Sequence, residues 1–555
     1  VRVRRFDFVV VGSGSAGAAL AARLSEDGRH SVCVIEYGGS DASPFVQMPG
    51  ALSIPMNSPR YDWGFHTEPE PGLGGRRIHQ ARGKVIGGTS SINGMVWVRG
   101  HPLDFERWVE EGAAGWGYAD VLPYFQRAET YAGGGDAYRG GEGPMRIRPG
   151  SMENPLHAVF LEAARQAGYA ITSDYNGARQ EGFGAMQMSV HDGVRWSTAN
   201  AYLKPALKRP NLALITRALA RRVIFDGARA TGVEIERGGA VEVVHADREV
   251  VLSAGAFGSP HLLLLSGVGP GAELAAHGVN VVADRPGVGA NLQDHLEFWL
   301  QVACGEPVSL FGATALWRKG LIGLQWLRTR RGLGASNQFE SCGFIRSRAG
   351  RRFPDIQYHF LPLAVAYDGS SIATRHGYQA HVGPNHPRSR GRLWLKSADP
   401  REKPAMRFNY LADEEDRADM RAALRLTREI FAQPAFAPFD DGEILPGREV
   451  VSDDDIDAFV RDRAESAYHP CGAARMGRRD DPLAVVDPEC RVIGVERLRV
   501  VDSSVIPSLT NGNLNAPTIM IGEKAADHIL GRALLPRSNQ AYFVDEEWRT
   551  RQRAR

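Results

Sequence analysis

Cysteine is scarce. Cys33, Cys304, Cys342, Cys471 and Cys490 are scattered through 555 residues, with no CxxC pair and no His/Cys cluster. That excludes a disulfide framework and a structural zinc site, and it suits a reducing compartment. Long apolar runs are missing as well. The longest, such as Leu262–Leu265, fall far short of the roughly 18 residues that announce a membrane-spanning helix. Neither charge sign is in excess: 66 basic against 64 acidic residues leave +2, so no net field recruits nucleic acid or an anionic surface. Repeats and low-complexity tracts are absent. The basic N-terminus (Arg2, Arg4, Arg5) runs straight into a strand, without the apolar core or cleavage site of a signal peptide. The expectation is a cytoplasmic protein, with peripheral contact at the inner face of the cell membrane left open.

What is abundant is glycine, at 63 residues, gathered in short clusters between apolar runs. Such clusters mark tight turns and loops that a ligand approaches closely. Residues 7–11 form a short continuous apolar run, as in a strand buried on both faces. Gly12, Gly14 and Gly17 follow, then a helix over 18–24, then a second buried strand over 32–35 ending at Glu36. This strand–glycine–helix–strand order is the dinucleotide fingerprint. Gly12 makes the turn, Gly14 admits a pyrophosphate to the backbone, and Gly17 lets helix and strand pack. The helix N-terminus offers free N–H groups to phosphates, and Glu36, nineteen positions past Gly17, suits an adenosine ribose. The fingerprint does not choose between NAD and FAD.

Two further clusters follow, one over residues 82–94 with Gly87, Gly88, Ser91, Asn93 and Gly94, the other over 255–269. With the first, they resemble the glucose–methanol–choline family of FAD-dependent alcohol oxidoreductases over residues 6 to 531. Residues 90–95, 356–362 and 512–515 are most similar to its choline-oxidising members. The resemblance implies a two-part fold. An α/β, Rossmann-like FAD-binding domain is assembled from residues 1–155, 195–300 and 464–535. An α+β substrate domain on an antiparallel sheet takes 156–194 and 301–463, and 536–555 form a C-terminal arm. Strands are expected over 213–224, 231–236, 248–253, 355–363, 377–382, 391–396 and 498–502, and helices over 411–432 and 453–463.

It also implies site residues. His469, in Tyr468-His469-Pro470-Cys471-Gly472, matches the family's active-site histidine. Alcohol oxidation removes a proton from oxygen and a hydride from carbon, so a neutral imidazole beside a hydride-accepting flavin is a suitable base. Asn515 matches the second position of that pair and is expected to hold the substrate oxygen. Choline's trimethylammonium has no hydrogen-bond donor, so only opposite charge and π-faces can hold it. Glu297 is the expected carboxylate, with Tyr468, Phe339 and Trp63 as aromatic neighbours and His359 as a further polar contact. Cofactor contacts carry over to Val223, Asp502, Pro517 and Thr518. Ile92 stands where covalent relatives have histidine, so FAD is expected to be non-covalent. No metal is expected. The implied reaction is choline to betaine aldehyde, and onward to glycine betaine through the aldehyde hydrate, with electrons passed to a respiratory quinone or to oxygen. Another alcohol, polyethoxylated or aliphatic, and a lyase or photodecarboxylase on the same scaffold stay open as alternatives.

Overall fold

The computed structural model describes residues 4–366 and 374–553. Two seven-stranded sheets organise it. The first opens with β1 (Arg4–Val11), helix α1 (Ser15–Leu24) and β2 (Val32–Ile35), and β1 and β2 pair in parallel. Covered on both faces, β2 is wholly buried, as its unbroken Val-Cys-Val-Ile requires. β3 (Leu212–Ile215) extends the parallel edge beyond β2. β4 (Leu219–Asp226), β5 (Arg229–Arg237) and β6 (Ala240–Leu252) form an antiparallel meander. The meander returns to the core because β6 pairs in parallel with β1, and the short strand Leu498–Val500 closes on the other side of β6. The expected run at 248–253 is thus the end of a 13-residue strand.

Helix α2 (Gly255–Leu265) follows β6 directly. The second sheet comprises β7 (Leu296–Cys304), β8 (Ser341–Ile345), β9 (Ile356–Leu361), β10 (Gly377–Pro384) and β11 (Asp440–Leu445), with a short strand Gly182–Ala185 at one edge and the two-residue strand Glu465–Ser466 paired with the start of β7. Its order is β11-β7-β10-β9-β8-(182–185), and every pairing is antiparallel. The strand expected at 391–396 lies elsewhere. Gly391–Trp394 pairs with Ala290–Leu292 and Ala405–Arg407 in a separate three-stranded sheet, because the residues that follow β10 (385–390) carry the chain off the sheet edge.

Helix α3 (Leu316–Thr329) leaves the second sheet between β7 and β8. Helices α4 (Glu414–Phe431) and α5 (Asp453–Arg463) follow, started by Asp413 and by a Ser452–Asp455 capping box. The sheet alternates with period two. Phe298, Leu300, Val302, Tyr358, Phe360, Tyr378, Ala380 and Val382 share one parity and are buried. There Phe360 stacks on Phe160 at 4.6 Å, and Phe431 of α4 meets Tyr378 edge to face at 5.5 Å. The other parity carries Glu297, Gln301, Gln357, His359, Gln379 and His381, all buried as well. A buried polar face needs partners, and it finds them at the site described below.

Helix α6 (Asn515–Leu530) packs on α1. A Cβ on Gly522 would come within 2.7 Å of the Ala16 carbonyl. The C-terminal segment is pinned rather than loose: Arg346 bonds Asp545 and the Arg551 carbonyl, and Tyr138 bonds the Ala541 carbonyl. Among the described residues, no helix is long and apolar enough to cross a membrane. The five cysteines are buried and free.

Candidate active site

A cavity of about 510 Å³ lies between the two sheets and is lined by residues of all three glycine clusters. Gly12 has φ +102°, and a Cβ there would sit 2.3 Å from the Ser253 carbonyl. A Cβ on Gly88 would sit 2.7 Å from the Cα of Gly14. The clusters are therefore pressed backbone to backbone, and only glycine permits it. The N-termini of α1, α2 and α6 all open on this cavity; α1 and α6 carry no side-chain cap, while the first N–H of α2, that of Gly255, is taken by Asp502. Free N–H groups and three positive dipole ends converge there. The buried Asn515 Nδ2, on a cavity-lining residue, has no partner. These donors fit an elongated, anionic, carbonyl-bearing ligand such as a flavin dinucleotide.

Glu36 ends β2 at the cavity wall and accepts from Ser13 N–H and Oγ and from Gly38 N–H, at 3.1, 2.7 and 2.7 Å. Burial raises its pKa against the pull of these bonds. Asp502, also at the wall, accepts from Gly255 N–H and Ser259 Oγ through one oxygen and from Ser504 through the other. It thus caps the short turn 503–505 and holds the start of α2. Gly14, Gly88, Asn93, Gly94 and Thr518 line the cavity. Gly17, Gly87, Ser91, Val223 and Pro517 do not line it. Gly17 faces the Gly12 carbonyl, and Ser91 Oγ bonds the Ile86 carbonyl, so both shape their loops from behind. Val223 points its N–H at Ser266 Oγ, while Ala218, Leu219 and Ala220 at the start of β4 line the cavity in its place.

At the other end stands His469. Its position is forced: Asp294 accepts the His469 N–H at 2.7 Å, and Tyr468 before it takes φ +63°. Asp294 is itself fixed by Tyr410 OH and Ser466 Oγ. The ring sits in a chain whose tautomers follow from the acceptors. The Asn385 carbonyl can only accept, so His295 donates to it through Nε2 at 2.9 Å. His295 Nδ1 then accepts from His469 Nδ1 at 3.0 Å. His469 therefore presents its Nε2 lone pair, which faces Asn513 Nδ2 at 2.9 Å. Burial, with His295, His359 and Arg82 nearby, holds His469 well below the usual imidazole range, and burial brings His295 to about 3. Both rings are neutral at pH 7.

The asparagine beside His469 is Asn513, not the expected Asn515. Asn515 is the first residue of α6, and its Oδ1 is turned to Ser15 Oγ at 2.7 Å. Asn513 is still in the preceding loop, and its Oδ1 accepts from Gln357 Nε2 at 3.1 Å, with His359 Nε2 at 3.4 Å. Two asparagines flank Leu514, and where the helix begins decides which one reaches the base.

Glu297 lines the same cavity from β7 and is 4% exposed. Its Oε1 is 2.9 Å from His381 Nδ1, a partner that sequence reasoning missed. The backbone N–H of Val365 and Gln301 Nε2 both donate to Gln379 Oε1, at 2.9 and 2.7 Å. That fixes the amide, so Gln379 Nε2 is the group facing His381 Nε2 at 2.6 Å. His381 accepts there and donates from Nδ1 to Glu297. The carboxylate thus accepts a hydrogen bond from a ring whose other nitrogen is engaged by an amide donor. Phe339 stands edge-on to His381, with centroids 5.2 Å apart, and Tyr468 lines the cavity too. Trp63 lines the cavity as well, but at its Glu36 end, where it stacks on Tyr37 at 4.6 Å. Asp62 accepts from Arg82 N–H and meets His79, and this turn sends Trp63 away while Tyr61 packs with Ile92 and Tyr468. Among the described residues, no group of three or more His, Cys, Asp or Glu is placed to hold a metal ion.

Comparison with known proteins agrees with this geometry. The GMC oxidoreductase family models match residues 6–297 and 387–522. The chain is 58% identical over 547 residues to the oxygen-dependent choline dehydrogenase of Brucella ovis, covering 99% of this chain and all of the relative. It is 58% identical over 542 residues to the protein of that name from Sinorhizobium medicae, covering 98% of each. Among solved structures, pyridoxine 4-oxidase from Mesorbium loti superposes with a TM-score of 0.86 at 33% identity, over 95% of this chain and 99% of that one. A formate oxidase variant from Aspergillus oryzae gives 0.88 at 28% identity, over 95% and 98%. With the N- and C-terminal family models together spanning most of its length, the chain belongs to the GMC oxidoreductase family.

Proposed function

We propose that this protein carries out FAD-dependent oxidation of choline to betaine aldehyde. The observation that carries the reading is the pairing, in one cavity, of a histidine that presents a neutral lone pair with a buried carboxylate that has no cationic side-chain partner among its hydrogen bonds. The trimethylammonium is held by the charge of Glu297 and the ring faces of Phe339 and Tyr468. His469 Nε2 takes the hydroxyl proton, and the new N–H charge is shared along Nδ1–H to His295. Asn513 Nδ2 already points at that lone pair, so it is placed to donate to the substrate oxygen as the hydroxyl arrives. FAD, when bound, supplies the acceptor for the hydride that leaves the carbinol carbon. Glu36, the glycine backbone and the three helix N-termini are the groups that would hold it. Ile92 cannot form a histidyl linkage, so the cofactor is held non-covalently. Betaine aldehyde hydrate offers a hydroxyl to the same base, which makes a second oxidation to glycine betaine chemically equivalent at this site. Electrons then pass to a respiratory quinone or to oxygen, and peroxide yield on reoxidation under air separates the two.

The test is anaerobic titration of the yellow holoenzyme with choline and with 3,3-dimethylbutan-1-ol, its uncharged isostere. Choline should bleach the flavin at far lower concentration. Equal response to the two alcohols, or no bleaching by choline, overturns the assignment.

A further inference from the structure

Arg195 is a buried cation without a counter-charge. It ends the short strand Val194–Arg195, which pairs with Val190–His191, and it is 0% exposed. Every acceptor it meets is neutral. Nε donates to the Val46 carbonyl at 2.8 Å. Nη1 donates to the Asn93 carbonyl at 2.6 Å, to Asn93 Oδ1 at 3.0 Å and to the Ser90 carbonyl at 3.4 Å. Nη2 has no partner. Burial alone pulls its pKa down to about 9, so the group stays charged at pH 7. Other buried arginines are paired: Arg139 meets Glu129 and Asp174, and Arg346 meets Glu181 and Asp545. A buried charge left without its opposite is costly. A neutral amide could hold a carbonyl there, and what the guanidinium adds is a field.

That field falls on the cofactor cavity. The carbonyls that Arg195 holds belong to the second glycine cluster, whose Ile92, Asn93 and Gly94 line the cavity, with Arg195 standing behind them. The Asn93 carbonyl is turned back to Arg195. In a trans peptide the N–H points opposite the carbonyl, so the Gly94 N–H faces the cavity. The Gly94 carbonyl is held in turn by Asn337 Nδ2 at 2.7 Å, from the loop before β8. A Cβ on Gly94 would meet nothing within 4 Å, so this stretch of wall is open to a ligand. The peptide dipole therefore presents its positive end to the cavity, and the cation behind it acts in the same direction. A flavin gains electrons on reduction, and positive potential at its edge favours that state. We infer that Arg195 is a positioning residue which, through the Asn93–Gly94 peptide, raises the electron affinity of the bound flavin. The inference rests on flavin occupying this cavity and is independent of the alcohol that reduces it.

The test needs no substrate. The midpoint potential of the holoenzyme is measured by equilibration with a reference dye during slow anaerobic reduction, and flavin electrophilicity by titration with sulfite. Arg195→Gln keeps a donor and removes the charge, while Arg195→Lys keeps the charge and removes the fork. The glutamine variant should lose about tenfold in its reduction equilibrium, which is about 30 mV for a two-electron couple, and about tenfold in sulfite affinity. The lysine variant should stay within about threefold of wild type in both. Colourless wild-type protein after reconstitution would refute the cofactor reading itself. Three results overturn the inference alone: a yellow glutamine variant within twofold of wild type, a lysine variant that falls as far as the glutamine one, or failure of both variants to hold flavin, which would make Arg195 a part of the fold only.

Discussion

Replacing Glu297 by glutamine isolates charge from shape. The amide keeps an oxygen where Oε1 accepts from His381 Nδ1, so the pocket's hydrogen bonding survives. What is lost is one negative charge in a place 4% exposed, where salt screens little. An ammonium about 4 Å from a carboxylate gains roughly 4 kcal/mol at an effective dielectric constant of about 20. At about 1.4 kcal/mol per decade, that sets a ceiling near a thousandfold, and imperfect contact brings the expectation to about 10²–10³. Glu297→Gln should therefore lower kcat/KM for choline by that factor and leave 3,3-dimethylbutan-1-ol within about threefold of wild type. Steady-state assays with both alcohols on the same preparation give the two ratios directly. If both substrates lose equally, Glu297 supports the fold of the site and does not read the cation.

Asn513→Ala should cut kcat about 10–10²-fold while flavin content stays normal, because it removes one donor at the reacting oxygen. Asn515→Ala should instead weaken flavin retention on gel filtration, and the reverse pattern would restore Asn515 to the reacting centre. Gly88→Ala places a methyl 2.7 Å from Gly14 at φ +53°, so it should yield protein without yellow colour; normal absorbance would show that the close approach is not needed. Gln379→Leu removes the donor that keeps His381 an acceptor, so choline KM should rise while that for 3,3-dimethylbutan-1-ol changes little, and equal changes for the two alcohols would refute the relay. Burial brings His101, His157 and His261 to about 4 and His295 to about 3, below the ordinary 6.5. The unfolded chain then binds protons that the folded one refuses, so stability falls as pH drops from 6.5 towards 4, by up to ~1.4 kcal/mol per pH unit for each group. Glu70, raised to about 7 by burial, opposes this, as do Glu36, Glu181, Asp294, Asp355, Glu465 and Asp502, which burial also raises. Denaturant unfolding at pH 7 and pH 5 measures the difference, and equal or higher stability at pH 5 contradicts it.

Local rules made the first βαβ unit legible, because Val9–Val11, the glycines and Glu36 each have one physical reason to be where they are. The two long helices of the second half were equally plain, since α5 carries its capping box and α4 its acidic first turn. What escaped was set by register and by exact helix starts. Asn513 and Asn515 are indistinguishable until α6 is known to begin at Asn515. Trp63 looked like a cation partner by residue type, but the turn at Asp62 aims it at Tyr37. His381 did leave a signal. Gln357/His359 and Gln379/His381 each repeat a polar residue at every second position of a strand whose other parity is apolar, and Glu297 and Gln301 flank Trp299 on the same face of β7. On a half-exposed strand that pattern means solvent. Here both faces are buried, so the polar face had to be satisfied by a site. The sequence could not say which, because burial of a strand's second face is decided by distant segments that pack against it. The relay from Val365 through Gln379 and His381 to Glu297 runs within the second sheet, across the adjacent strands β10 and β7, and it is visible only once their register is in place.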